Sequence, residues 1–290
     1  MTNIERNIAT LYTCLYITNE CINDCGYCGF RKSNDNLERI TLTENEIREE
    51  AIAIRESGVR NAIIIGGTLP EGDYKDLILA STETAVEENL IPWIEFENLS
   101  YETLKELHDI GSDHFVLFQE TYNRELYGKL HKKSPLKNDY DLRLQKIDEA
   151  IEAGFSNIGI GALFGLNKNY TFEVEELCKH TENLQDKGVN VIVSVPALNQ
   201  ANISSEELYK ITSQIRIALS GVSIALSGRE RHRDALFSLT EYIGTGGVTF
   251  PGGRTIHKGS EEVLKQFDLG DTRTPKEIID LLKSLNIEVK

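Results

Sequence analysis

Short apolar, β-branched runs alternate with amphipathic helical stretches along almost all of this 290-residue chain. That alternation limits the fold more than any other feature. The runs fall at residues 11–18, 61–67, 91–96, 113–119, 157–163, 189–195, 222–226 and, more weakly, 245–250. The second of them, Asn-Ala-Ile-Ile-Ile-Gly-Gly, has no polar face, as expected of a strand buried on both sides in a parallel sheet. Helical spacing is read at 43–57, 74–88, 101–109, 141–153, 172–187, 206–219, 231–239 and 275–285, with a short helix near 124–130. The first helix has a start and a stop: Thr43 with Glu46 three residues on, then Gly58. Repeated βα units imply parallel strands with right-handed crossovers. Eight of them predict an α/β fold of the closed (β/α)8 TIM type. The runner-up is an open, doubly wound sheet. No low-complexity run, proline-rich linker or charge block marks a second domain. Residues 1–290 are therefore read as one barrel, with 260–290 as a C-terminal helical cap segment.

Composition removes some functions. The net charge is −15, so no global attraction draws the chain to nucleic acid or to an anionic membrane. No run of apolar residues is long enough to cross a bilayer. The first residues, Met1-Thr2-Asn3-Ile4-Glu5-Arg6, lack the apolar core of a secretion signal. A cytoplasmic location with reduced cysteines is the expectation.

Three of the five cysteines, Cys21, Cys25 and Cys28, fall within eight residues directly after the first predicted strand. Three thiolates on one tight loop are soft ligands suited to an iron–sulfur cluster or to zinc. Zinc needs a fourth ligand, usually Cys or His. The nearest histidine in sequence is His108, and Cys14 stands seven residues upstream. A four-iron cluster held by three cysteines keeps one iron open for a small molecule. Cys14 and Cys178 read as small buried apolar residues, and no histidine is assigned a role.

The pattern C-x3-C-x2-C, with Tyr27 before its last cysteine and Gly29-Phe30-Arg31 after it, resembles the signature of the radical S-adenosylmethionine (SAM) superfamily. The resemblance implies a [4Fe–4S] cluster on Cys21, Cys25 and Cys28 whose open iron chelates the methionine end of SAM. One electron then cleaves SAM to a 5′-deoxyadenosyl radical, which takes hydrogen from a substrate. Further motifs sit at predicted strand ends, where barrel enzymes keep their active sites. Gly66-Gly67-Thr68 resembles the family's glycine-rich ammonium site, with Thr68 in place of the usual Glu. Phe118-Gln119-Glu120-Thr121-Tyr122 and Asp139-Tyr140-Asp141-Leu142-Arg143 resemble the branch of the tyrosine lyases of thiazole and hydrogenase cofactor synthesis, with the tryptophan lyase and deazaflavin synthases nearby. In that branch Glu120 would bind the ribose and Arg143 the SAM carboxylate. Tyr27 would present backbone groups to adenine, and Gly161, with Gly159, would leave room for its ring.

The resemblance therefore implies an enzyme of cofactor biosynthesis acting on a small substrate, an amino acid or an aromatic acid. A low-potential electron donor such as flavodoxin or ferredoxin would be its partner. Two departures bear on the substrate. No cysteine follows Cys178, so the second cluster of the hydrogenase maturase has no ligands in this sequence. The tyrosine lyases place an arginine after the strand-six proline, where this chain has Ala197. Arg229 and Arg254 are then the candidates for a substrate carboxylate, with Ser194 beside them. A non-catalytic metal-binding or cluster-carrier protein is the alternative.

Overall fold

The computed structural model describes residues 8–230, 233–245, 266–267, 270–271 and 273–290. Eight parallel strands form a closed ring: β1 (Ile8–Thr18), β2 (Asn61–Gly66), β3 (Ile91–Glu95), β4 (His114–Val116), β5 (Asn157–Gly161), β6 (Asn190–Ser194), β7 (Ser223–Leu226) and β8 (Tyr242–Gly244). Each pairs with its successor. β1 pairs on both sides, with Tyr12 opposite Asn61 of β2 and Thr10 opposite Tyr242 of β8. The expected (β/α)8 barrel is the observed one.

The helices are α1 (Glu44–Glu56), α2 (Glu71–Glu87), α3 (Tyr101–Ile110), α4 (Arg124–Leu130), α5 (Tyr140–Ala153), α6 (Tyr170–Gln185), α7 (Ser205–Ala218) and α8 (Pro275–Ser284). Their starts follow from sequence chemistry. Thr43 with Glu46, Ser204 with Glu207 and Thr274 with Glu277 each make a full capping box. None of the described helices is long and apolar enough to cross a membrane.

The period of two along β1 sorts its side chains. Leu11, Leu15 and Ile17 are buried under the helices, while Tyr12, Cys14 and Tyr16 line the barrel interior. The lower interior is closed by rings. Trp93 stacks on His114 with centroids 4.7 Å apart and on Tyr12 at 6.1 Å, and meets Tyr242 edge-on at 5.2 Å. Its indole N–H donates to Asn61 Oδ1 at 3.2 Å. Burial lowers the His114 pKa to about 4, so this layer carries no charge at neutral pH.

Three elements differ from the sequence reading. The run expected at 245–250 as strand eight lies outside the described residues beyond Thr245, and the strand that closes the barrel is Tyr242–Gly244. The aromatic and β-branched pair Tyr242-Ile243 carries the strand signal, and three residues suffice because β1 and β7 flank them. The helix expected at 231–239 is a 3-10 helix over Asp234–Leu239. Arg233, fully buried just before it, gives its guanidinium to the carbonyls of Leu226, Ser227 and Gly244 and to Asp271. That anchor leaves too few residues before β8 for a regular helix. A ninth strand, β9 (Glu288–Val289), was not anticipated. It pairs with Ile8 and Ala9 at the start of β1.

Replacing Trp93 by Ala would open the stacked layer. A large-to-small change at a buried aromatic costs about 3–5 kcal/mol, and the expected loss is read from denaturant unfolding of the two proteins.

A cysteine-ringed candidate active site

The strand ends converge on one cavity at the C-terminal rim. Cys21, Cys25 and Cys28 all line it, and all three are free thiols. Their loop is held by polar side chains rather than by regular structure. Arg39 staples its two ends, donating to the Asn19 carbonyl at 2.6 Å, to that of Phe30 at 2.9 Å and to that of Arg31 at 2.8 Å. Buried Asn23 donates to Glu97 Oε1 at 2.7 Å and accepts the Leu136 N–H at 3.1 Å. Gly29 N–H reaches the Gln266 carbonyl at 2.7 Å, which ties the loop to the C-terminal segment.

Gly67 is required by this loop. A Cβ there would collide with the Glu20 carbonyl and with Cys21. The chain crosses β2 so closely that Gly67 N–H bonds the Thr18 carbonyl at 3.0 Å, Ile22 N–H bonds the Thr68 carbonyl at 2.9 Å, and Thr68 N–H points at Cys21 Sγ at 3.3 Å. The Gly66-Gly67-Thr68 motif thus seats the first cysteine.

The donor set fits a [4Fe–4S] cluster. The three sulfurs ring an open cavity. Among the described residues no three His, Cys, Asp or Glu side chains gather around one ion position. Hydrogen-bond donors already face two of the sulfurs, from Thr68 N–H and Ser134 Oγ, the outer-shell support that metal thiolates need. Burial raises all three thiol pKa values, that of Cys28 to about 12. Metal uptake therefore has to displace protons.

Beside the cysteines lies a balanced set of charges. Glu97 follows β3, Glu120 follows β4, Lys137 sits on the connection after α4, and Arg143 is on α5. Arg143 pairs with Glu97, lies 3.7 Å from Glu120, and gives its Nε–H to the Phe118 carbonyl at 2.6 Å. Lys137 bonds Glu120 at 2.6 Å and approaches Glu97 at 3.8 Å. Thr68 Oγ donates to Glu97 at 2.8 Å. Burial works against the Glu120 charge, but Lys137 and Arg143 outweigh it and lower the pKa to about 2. Burial and Arg143 likewise oppose the Lys137 ammonium, yet Glu120 and Glu97 push its pKa up. Glu120 has φ +67°, a left-handed conformation that side chains rarely adopt. Such strain is of order 1–3 kcal/mol and clusters at functional sites. Here Leu163 N–H holds the Glu120 carbonyl at 2.8 Å.

Cys14, Tyr16, Ile63, Glu95, Ser194 and Arg229 wall the same cavity as a second set, its chamber. Burial first, and then the Glu120 charge, raise the Glu95 pKa to about 8, so Glu95 holds a proton at neutral pH. Arg229 lies over the Phe267 ring at 3.7 Å, and its Nε finds no partner among the described residues. Tyr16 O–H donates to Gln266 at 2.9 Å.

Of the residues singled out in the sequence, Tyr27, Gly66, Gly67, Thr68, Glu120, Arg143, Ser194 and Arg229 all line this cavity with the three cysteines. Gly161 does not. A Cβ there would strike the Ser194 carbonyl and Phe118, so its smallness serves the packing of β5 on β6. Arg254 lies outside the described residues, as do His232 and His257. Cys14 differs from its reading as a core residue, since it faces the cavity. Sequence reasoning missed Asn23, Arg39, Glu95, Glu97, Ser134 and Lys137. Glu95 had a signal, being the one acid in the apolar run Ile-Pro-Trp-Ile-Glu-Phe and on the inward side of its alternation.

A parallel α/β barrel with three free thiols and paired acids and bases at its rim defines a cluster-dependent, ligand-binding class of protein. Comparison with known proteins gives the family. Residues 15–179 match the model of the radical SAM superfamily, and the chain belongs to that superfamily, whose members bind a [4Fe–4S] cluster and SAM. The 2-iminoacetate synthase of Escherichia coli K12 is 30% identical over 97% of this chain and 77% of its own length. A 7,8-didemethyl-8-hydroxy-5-deazariboflavin synthase of Methanococcus vannielii is 25% identical over 80% of this chain and 72% of its own length. The crystal structure of HydG, a maturase of the [FeFe]-hydrogenase, superposes with a TM-score of 0.88 at 30% identity over 98% of this chain. The chain spans only 65% of that HydG chain.

Glu95 supplies a pH test of the chamber. Its folded pKa lies above the unfolded value, so the folded protein binds the extra proton and loses stability as pH rises from about 4.5 to about 8. Glu95→Gln removes the titration. The variant should gain on the wild type progressively across that window and hold a constant lead above it, as read from unfolding midpoints.

Proposed function

We propose that this chain is a radical SAM enzyme of the branch that includes 2-iminoacetate synthase and HydG, acting on a small amino acid in the biosynthesis of a cofactor. One observation carries the reading. The three free thiols and the Glu97, Glu120, Lys137 and Arg143 set share one cavity, at the rim where barrel enzymes keep their sites. When bound, the cluster supplies the electron that cleaves SAM to methionine and a 5′-deoxyadenosyl radical.

The chain's own residues position the reactants. The backbone of Gly66 and Gly67 and the Thr68 hydroxyl face the methionine ammonium. Arg143, released from Glu97, takes the carboxylate in a bidentate pair. Glu120 accepts from the ribose hydroxyls, held ionised and correctly aimed by Lys137. Tyr27 offers backbone groups to adenine. In the chamber, neutral Glu95 hydrogen-bonds a substrate amine while Arg229 takes its carboxylate, the role left vacant by Ala197. Ser194 is a hydrogen-bonding partner in the same chamber, and Arg254 is a further candidate cation. Tyr16, Ile63 and Phe267 form an apolar wall that keeps water from a radical.

Residues 1–290 are proposed to act as one domain, with 260–290 as a C-terminal helical cap segment. A low-potential protein such as flavodoxin or ferredoxin is the proposed electron donor. The cytoplasm is the proposed location, because the thiols must stay reduced.

Anaerobic reconstitution with iron and sulfide, followed by SAM and dithionite, should release 5′-deoxyadenosine, measured by chromatography. Cluster-loaded protein that never releases it would refute the enzymatic reading. Glu120→Ala should keep its cluster but bind SAM at least about tenfold more weakly by equilibrium dialysis, because hydrogen bonds to a charged group are worth about 1.5–3 kcal/mol.

A further inference from the structure

The connection after α4, residues 131–137, lies outside the cysteine motif, yet it bonds the cysteine loop at Asn23, Asp24, Cys25 and Tyr27. His131 is fully buried. Its Nδ1 lies 2.9 Å from the Tyr127 carbonyl, which can only accept, so Nδ1 carries the proton. Nε2 then accepts the Tyr27 hydroxyl at 2.8 Å. Leu136 N–H bonds Asn23, and Lys137 holds Glu120. Tyr127, also fully buried, fixes the end of the segment through the Lys137 carbonyl at 2.7 Å.

Ser134 sits at the centre of this contact and is fully buried. Its Oγ accepts the Asp24 N–H at 3.0 Å and lies 3.4 Å from Cys25 Sγ. With a lone pair of Oγ committed to Asp24, the hydroxyl proton is free to point at the sulfur. A metal-bound thiolate has no proton to give, so in the loaded site the serine must be the donor. Cys21 differs, being served by the backbone N–H of Thr68. Ser134 is thus a side-chain donor to a ligand sulfur, supplied by a separate segment.

We propose that Ser134 is a positioning residue for electron transfer: its hydroxyl donates to the Cys25 thiolate and holds the cluster at a less negative reduction potential. The proposal rests on the reading of Cys21, Cys25 and Cys28 as cluster ligands. The reason is electrostatic. Reduction adds one negative charge to the cluster, and a hydrogen bond to a ligand sulfur stabilises that charge in a buried, low-dielectric site.

The test is a redox titration followed by electron paramagnetic resonance on anaerobically reconstituted full-length protein, with iron and sulfide content measured alongside. Ser134→Ala is expected to load its cluster and to titrate at a more negative potential than the wild type. Ser134→Thr, which keeps the hydroxyl, is expected to restore the wild-type value. An equal or less negative potential in loaded Ser134→Ala overturns the proposal. If Ser134→Ala takes up no cluster, Ser134→Cys, a weaker donor of similar size, is titrated in its place. It must also fall below the wild type, and an unchanged potential overturns the proposal. Failure of both variants to load would assign Ser134 a purely structural role and overturn it as well. Wild-type protein that takes up no cluster would instead refute the cluster reading itself, a result distinct from any change of potential.

Discussion

Closure of the barrel through β1 is the constraint on which the site depends. β1 is hydrogen-bonded to β2 on one side and to β8 on the other, all parallel. With every strand running the same way, every C-terminal end reaches the same rim. Residues as far apart in sequence as Cys21, Glu120 and Arg229 therefore share one cavity without further arrangement. The register shift between Tyr16 and Thr18 marks where β1 leaves the ladder. Beyond it the chain turns across Gly67, which sets the position of the first cysteine. The chemistry of the mouth thus hangs on backbone hydrogen bonds of β1, and the polar side chains refine what those bonds place.

Much of this was legible in the sequence because it is written in short-range terms. Strand and helix periodicity, the capping boxes and the cysteine spacing are local patterns, and they yield the barrel and its ligand loop directly. The strand-end residues Glu120 and Arg229 could be assigned to the mouth once the barrel was inferred, because strand direction brings them to one rim, whereas Arg143, on α5, was assigned through the family resemblance. What failed to show was long-range pairing. Arg39, Asn23 and Ser134 look like ordinary polar loop residues, and only the folded chain shows that each one bonds the cysteine loop. Lys137 is equally anonymous in sequence, though it controls the charge on Glu120. Strand eight was misplaced because three paired residues are too short for a period to be counted. The helix before it was misread because Arg233, buried by contacts with remote carbonyls, overrides local propensity.

Family membership and geometry support each other at different depths. The comparisons establish the superfamily and the cluster and SAM that it uses. They say less about the rest of the cavity, where Glu95, Arg229 and Cys14 form the wall.

The mouth's own charges carry a further consequence. Glu97 and Glu120 are matched by Lys137 and Arg143, so the four sum to zero inside a chain whose net charge is −15. A zwitterionic guest brings one ammonium and one carboxylate, and it enters by exchanging internal partners for its own groups. Those two groups leave the charge of the set unchanged, so only a further charge on the guest, such as a sulfonium, alters the total in the cavity.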